Sequence, residues 1–561
     1  MKITRNKILF LYGAALGIAV FLWIYGAGVL DVTADAWIFK SDIDLRQHYL
    51  GWMAFRNSAL SFPFGLIDKL SYPHEISIVY TDSIPLAALF FRLISQLLPA
   101  TFQYFGLYAL LCFILTGGMA ALVLGRLSEG YALPMLMAPC FLLSYPMLQR
   151  TFYHTSLSSQ WIILLCFELW LSGRAKKSPL QRGIIWTALG VLCAGIHLYF
   201  LPITLCIMCA SLLEECMVNK KAGASCVILP LLMMLGALLT LAAFGAFRIS
   251  GSGDYWVGDF TMNLNSFFNS LGKTAFLKGL PLWGEMQFEG AVYLGMGLLV
   301  MLLCCIIILF LRLKKEGLKT ALKGHPRRIS MLAAALIFLT VSVLPTVTFG
   351  DKLLLRLPYT ETMNRVIGIF RSNGRFAWGL MYILIFAMAL LLGKVKKRGI
   401  VIALAGICLI LQAVDYGPWI REKQQKYSEL PPTYNTVWDE ISLPEGYKGF
   451  VMFEKDNTFR MGTAFYAMKH GMTVSNFYFA RDISALTDAS EEEYKAEILS
   501  GNADEGMVYV LDRETYEELK DTGLHFYKTR KCAFGVKTPI VGMEELKDSD
   551  LDEIKWREKN K

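Results

Sequence analysis

Asp44, Gln47 and His48 stand together in DIDLRQHYLGW, residues 42–52, a polar and acidic stretch in a chain that is 55% hydrophobic. Residues of these types beside an apolar segment do chemistry, bind a polar ligand or cap a structure. A carboxylate at a membrane boundary can take a proton from a hydroxyl, because partial removal from water raises its pKa toward the range a general base needs. The same residues also have a local use: Ser41 or Asp42 can begin a helix whose first turn accommodates acidic side chains. Asp82, in YTDSIP, lies at the far end of the same polar loop. Ordinary capping before a helix that begins near Pro85 accounts for it. A loop anchored at both ends would also bring Asp82 near Asp44.

A third group is basic. Arg371 and Arg375, with Asn373 and Gly374 in FRSNGRFAW, suit an anion such as phosphate, because guanidinium forms bidentate charge-assisted bonds; contact with lipid headgroups is the plainer use of the same residues. His154, His197 and Glu289 complete the ionisable residues at expected helix ends and are candidate substrate contacts. A lone histidine is more often structural. His48, His154 and His197 have the donor chemistry for a divalent cation, but no local spacing groups them. Tyr255, Trp256, Phe260, Phe267 and Phe268 can stack on a sugar or face lipid, and an interfacial aromatic belt explains them equally well.

These residues must be positioned by membrane-crossing helices. The 561-residue chain has a mean hydropathy of +0.44 and repeated apolar runs, many of them about 18 to 23 residues long, the length needed to cross roughly 30 Å of hydrocarbon. Spans are expected at 8–30, 105–124, 131–148, 158–172, 183–198, 201–213, 226–247, 291–311, 331–347, 376–392 and 400–414, about eleven in all. The first is too long for a signal peptide and lacks a small-x-small cleavage site, so it is read as retained. The 31–83 loop follows it, then an amphipathic stretch, 84–98, expected on the membrane surface. The pair of spans around Pro202 can alternatively be one kinked helix.

The net charge of +9 resides in short loops, where it reports topology and not nucleic-acid binding. Arg174, Lys176, Lys177, Arg182, Lys220, Lys221 and the runs 314–328 and 394–398 share one side with the amino terminus. If that side is cytoplasmic, every polar loop named above faces outward. Cysteines such as Cys112, Cys140, Cys166, Cys206, Cys209, Cys304 and Cys305 lie in apolar runs and Cys532 is alone, which is no disulfide or metal framework. The expected architecture is therefore mainly α: a membrane domain, 1–415, followed by a soluble α/β domain, 416–561, with strands at 449–453 and 506–512 and a helix at 513–520.

The motifs DLRQHYLGWMAFR, SIVYTDSIPLAALFF, RTFYHTSLSSQW, FEGAVYLGMG and FRSNGRFAW, set in this arrangement, resemble an uncharacterised bacterial family grouped with the GT-C membrane glycosyltransferases. The resemblance covers the membrane part. It implies a GT-C-like bundle in the bacterial cytoplasmic membrane, with the amino terminus inside and the carboxyl-terminal domain outside. It also implies transfer of a sugar from a polyprenyl-phosphate carrier to a glycan or other envelope acceptor. Membrane lipids are the remaining partners and no cofactor is specified, a divalent cation being compatible. By this likeness Asp44, which fits the D-x-x-Q-H pattern, is the base of an inverting transfer, Arg371 or Arg375 neutralises the leaving phosphate, and Gln47 and His48 are orienting or acceptor-contacting neighbours. A transporter or lipid flippase would place ionisable residues near the bilayer midplane and often show internal repeats. No repeat is visible here. A non-catalytic scaffold for envelope assembly is the remaining alternative.

Overall fold

Ten helices among the described residues are long and apolar enough to cross a membrane, which makes this a multi-pass membrane protein. They are Arg5–Tyr25, Phe105–Leu127, Ala132–Arg150, Pro179–Ile196, Phe200–Val218, Gly223–Ala243, Met296–Lys314, Pro326–Val343, Asn373–Leu392 and Arg398–Asp415. The remaining expected span, 158–172, is the shorter apolar helix Thr155–Leu171, which opens as a 3-10 turn over Thr155–Ser158. The segments around Pro202 are two helices, broken at His197 and Tyr199. Pro202 falls in the first turn of the second, where its missing N–H breaks no helical bond.

The computed structural model describes residues 4–173, 178–219, 223–249, 257–316, 325–429, 433–441, 443–554 and 556. Arg174, Lys176, Lys177, Lys220, Lys221, residues 317–324 of the basic run, Tyr255 and Trp256 lie outside them. Contacts divide the chain into two units: Met1–Val32, Tyr104–Leu239 and Tyr255–Leu430 form the first, and Thr33–Gln103, Thr240–Asp254 and Pro431–Lys561 the second. This division differs from a cut near residue 415, because the first loop folds with the carboxyl-terminal segment.

In the membrane unit, helices Arg5–Tyr25 and Phe105–Leu127 approach backbone to backbone. A Cβ on Gly13 would sit 2.1 Å from the Gly117 carbonyl oxygen, and one on Gly17 would sit 2.3 Å from that of Phe113. Small residues four apart permit this packing where lipid supplies no hydrophobic drive. The span Ala132–Arg150 is interrupted, with short helices Ala132–Met137, Pro139–Leu142 and Tyr145–Arg150. Pro139 and Pro146 open the second and third of these, each removing a backbone donor. Their consequence is that Arg150 ends the last turn, buried at 2% exposure. The loop over 257–290 is held by amides: Asn263 donates to Gln287 (3.0 Å) and to the Gly350 carbonyl (2.8 Å), and Gln287 donates to Thr348 (2.8 Å).

The second unit contains a five-stranded sheet in the order Thr473–Val474, Gly449–Met452, Met507–Leu511, Ala533–Val536, His525–Lys528. The first three strands are parallel and the last two form an antiparallel hairpin. Strands Gly449–Met452 and Met507–Leu511 are buried at every residue, the continuous apolar runs typical of parallel strands. The first loop joins this domain through its backbone. Val474 N–H donates to the Lys69 carbonyl (2.8 Å), Tyr72 N–H to that of Val474 (3.0 Å), and Ala480 N–H to that of Tyr80 (2.8 Å). Phe39 stacks on Tyr434 at 4.2 Å and meets Phe465 at 4.4 Å. The expected surface helix is Pro85–Leu93 followed by a 3-10 turn, Ser95–Leu97, with Phe90, Leu93 and Leu97 exposed. Arg56 fastens its end, donating to Ser95 Oγ (2.9 Å) and to the carbonyls of Pro99 (2.8 Å) and Ala100 (2.9 Å).

Candidate functional site

Two clusters gather the chemistry-bearing residues, one in each unit. In the second unit Asp42 caps the helix Ile43–Asn57, its carboxylate accepting from Asp44 N–H at 3.2 Å. Capping is thus done by Asp42, and Asp44 sits in the first turn, 8% exposed, where an acidic side chain also suits the helix dipole. Tyr478 Oη donates to Asp44 Oδ1 at 3.4 Å, and Gln47 Nε2 donates to the Tyr478 carbonyl at 2.9 Å. Asp44 and Gln47 lie three apart on one helix face and hold a single residue between them.

His48, next along, is wholly buried, and burial drives its pKa down to about 3, so the ring is neutral at physiological pH. Its carbonyl accepts from Ser83 Oγ at 2.6 Å. Gly51 makes that approach possible, because a Cβ there would lie 2.2 Å from Thr81 Oγ1 and 2.5 Å from Ser83 Oγ. The DLRQHYLGW and YTDSIP motifs therefore meet. Asp82 does not cap the following helix, however. The capping position is Ile84, which makes no side-chain bond, and Asp82 instead ends the 3-10 turn Ile78–Thr81. Asp82 and Ile84 both have left-handed backbone, with φ of 50° and 55°. That conformation is costly for a β-branched residue, and such strain gathers where a chain is forced into a particular course.

In the membrane unit the other three motifs converge on Glu289, which is 4% exposed. Arg150 embraces it with Nη2 to Oε2 at 2.7 Å and Nη1 to Oε1 at 3.1 Å, and Arg375 Nε reaches Oε2 at 2.8 Å. Burial alone would raise the Glu289 pKa, but Arg150 and Arg375 outweigh it and hold the carboxyl well below its ordinary range. Glu289 is a counter-ion to two arginines, and the triad carries one net positive charge. Arg375 also lies over the Tyr199 ring at 4.4 Å, while Tyr199 Oη accepts from Ser372 N–H at 2.7 Å. Gly290 and Gly374 let the two segments touch: a Cβ on Gly374 would come within 2.6 Å of Gly290 Cα and 2.5 Å of the Phe260 carbonyl oxygen.

Arg371 differs from Arg375. It is exposed, lies over the Phe260 ring at 5.5 Å and makes no ion pair among the described residues. Arg375 is committed to Glu289, so Arg371 is the guanidinium open to an anion. His154 packs on Tyr153 at 4.8 Å. His197 ends its helix and accepts from Tyr199 N–H at Nδ1 (3.3 Å). Among the described residues no three His, Cys, Asp or Glu side chains are arranged to hold a metal ion.

Three residues escape sequence reasoning: Arg150, Tyr199 and Tyr478. Arg150 carried a signal, a charge at the end of an apolar run. Tyr478 sits in SNFYFAR just past the carboxyl end of the parallel strand Thr473–Val474, the edge of an open α/β sheet where ligand contacts gather. Tyr199 carried none beyond its place beside His197.

A family described as "Domain of unknown function (DUF6311)" matches residues 14–417, and the "DUF6311 C-terminal domain" matches residues 437–536. No curated protein matches the chain. The first match spans the motifs of both clusters apart from Tyr478, and the second contains Tyr478. By this coverage the chain belongs to the DUF6311 family.

Proposed function

We propose that this protein is a glycosyltransferase of the bacterial cytoplasmic membrane, moving a sugar from a polyprenyl-phosphate carrier to an extracytoplasmic envelope acceptor with inversion. The observation that carries the reading is the setting of Asp44: a carboxylate removed from water in the first turn of a helix, oriented by Tyr478 and flanked by Gln47. In this reaction Asp44 takes the proton of the acceptor hydroxyl, the freed oxygen attacks the anomeric carbon, and the carbon–oxygen bond to the carrier phosphate breaks. The transition state has oxocarbenium character and needs no covalent sugar intermediate, so one base suffices. The departing phosphate gains charge, and a fixed positive group stabilises it. Gln47 and Tyr478 are positioning residues in this scheme. The amino terminus is then cytoplasmic and the soluble domain extracytoplasmic, as the distribution of basic loops implies.

The test is transfer of labelled sugar from polyprenyl phosphate in membranes with matched expression. Asp44→Asn should lose about 100- to 10,000-fold in rate, the range for removal of a general base. Near-normal transfer by Asp44→Asn would sink the assignment. Coupled uptake into liposomes by a protein that transfers no sugar would favour a transporter or flippase instead.

A further inference from the structure

The membrane unit also brings two lysines to one indole ring. Lys273 Nζ lies 5.4 Å from the Trp419 ring centroid and Lys423 Nζ lies 5.3 Å from it, with Lys423 also 5.7 Å from the Tyr25 ring. Both side chains are half-buried, and neither makes an ion pair among the described residues. Burial, Lys426 and Lys273 together bring the Lys423 ammonium down to about 7, against the opposing pull of Glu422.

Asp415, which ends the helix just before Trp419, is already engaged. Its Oδ2 accepts from Tyr293 Oη (2.7 Å) and Met296 N–H (2.9 Å), and its Oδ1 from Phe276 N–H (3.1 Å). The loop bearing Lys273 is built, not loose. Asn269 Oδ1 accepts from Leu271 N–H (3.0 Å) and Leu280 N–H (2.9 Å), and Ala275 N–H donates to the Asp415 carbonyl (2.9 Å). Two ammonium groups are thus held at one aromatic face, and among the described residues no ion pair answers either of them.

Their place in the fold says what does. Tyr25 ends the apolar helix Arg5–Tyr25, Asp415 ends Arg398–Asp415, and Lys423 and Trp419 belong to the helix Gly417–Ser428 that follows. Lysines on aromatics at the ends of membrane-crossing helices lie at headgroup depth. We infer that Lys273 and Lys423 form a binding site for the phosphate of an anionic membrane lipid, with Trp419 as its floor. This goes beyond the proposed transfer reaction and does not depend on it.

The test uses the full-length protein in detergent, with native mass spectrometry counting retained phosphatidylglycerol against phosphatidylcholine. A surface lysine contributes about fivefold to anionic-lipid binding, so Lys273→Gln with Lys423→Gln should weaken retention of phosphatidylglycerol by about 30-fold, with phosphatidylcholine unchanged. The Lys273→Arg, Lys423→Arg protein should retain it. Should the double variant not fold, Lys273→Gln alone, on a loop, should lose about fivefold. Equal retention of phosphatidylglycerol by wild type and variant overturns the inference. So does inorganic phosphate that binds wild type as tightly as the lipid does, since it would make the ligand a soluble phosphate.

Discussion

Replacing Glu289 by glutamine should destabilise the membrane unit more than removing either arginine that it holds. The carboxylate is 4% exposed and accepts three guanidinium bonds of 2.7, 2.8 and 3.1 Å. Arg150 and Arg375 are themselves 2% and 6% exposed. The triad carries a net charge of +1. Glu289→Gln raises it to +2 with both guanidinium groups still out of water, and leaving buried charges unanswered costs about 3–5 kcal/mol. Arg150→Gln instead leaves Glu289 and Arg375 as a one-to-one pair, so its cost should be smaller. Adding Arg150→Gln to Glu289→Gln returns the net charge to +1. The double variant should therefore be less destabilised than the sum of the two singles, because residues in one ion network couple.

Thermal unfolding of detergent-purified protein, followed by tryptophan fluorescence, gives the order of midpoints for the four proteins. Glu289→Gln unfolding no earlier than Arg150→Gln, or strictly additive effects, would refute the counter-ion argument. The sign of the pH dependence follows from the same geometry. The folded pKa of Glu289 is depressed below its ordinary 4.5, so its contribution is fully present above that value. It is lost only as pH falls through the lower folded value.

His48 predicts a different acid response. Its folded pKa of about 3 lies below the unfolded 6.5, so the unfolded chain binds the extra proton between those values. Stability should then fall by about 1.4 kcal/mol per pH unit on acidification through that window; His48→Gln should flatten the slope in pH-dependent denaturation, and an unchanged slope would contradict it. Gly374→Ala should cost about 1–3 kcal/mol through overpacking, since its Cβ would meet Gly290 Cα at 2.6 Å. Gly290→Ala, facing Met262 Cα at 2.7 Å, should do the same. Thermal midpoints equal to wild type in both would show that these segments do not need the close approach.

The membrane-crossing character of this chain follows from its sequence alone, because length and apolarity of a run are local properties that bilayer thickness converts directly into helices. The two fully apolar strands of the carboxyl-terminal sheet and the helix Arg513–Leu519 are legible for the same reason. The short edge strand Thr473–Val474 is not, since two residues have no period of their own. The chemistry-bearing residues are likewise visible as types out of place. What they do with one another is not. Pairing of Glu289 with Arg150 and Arg375 spans 139 and 86 positions, and the bond from Tyr478 to Asp44 spans 434. Charge and burial depend on such neighbours, and no local pattern encodes them. Tertiary structure thus decided that Arg375 is occupied and Arg371 open, that Asp42 caps while Asp44 does not, and that the first loop folds with the carboxyl-terminal sheet.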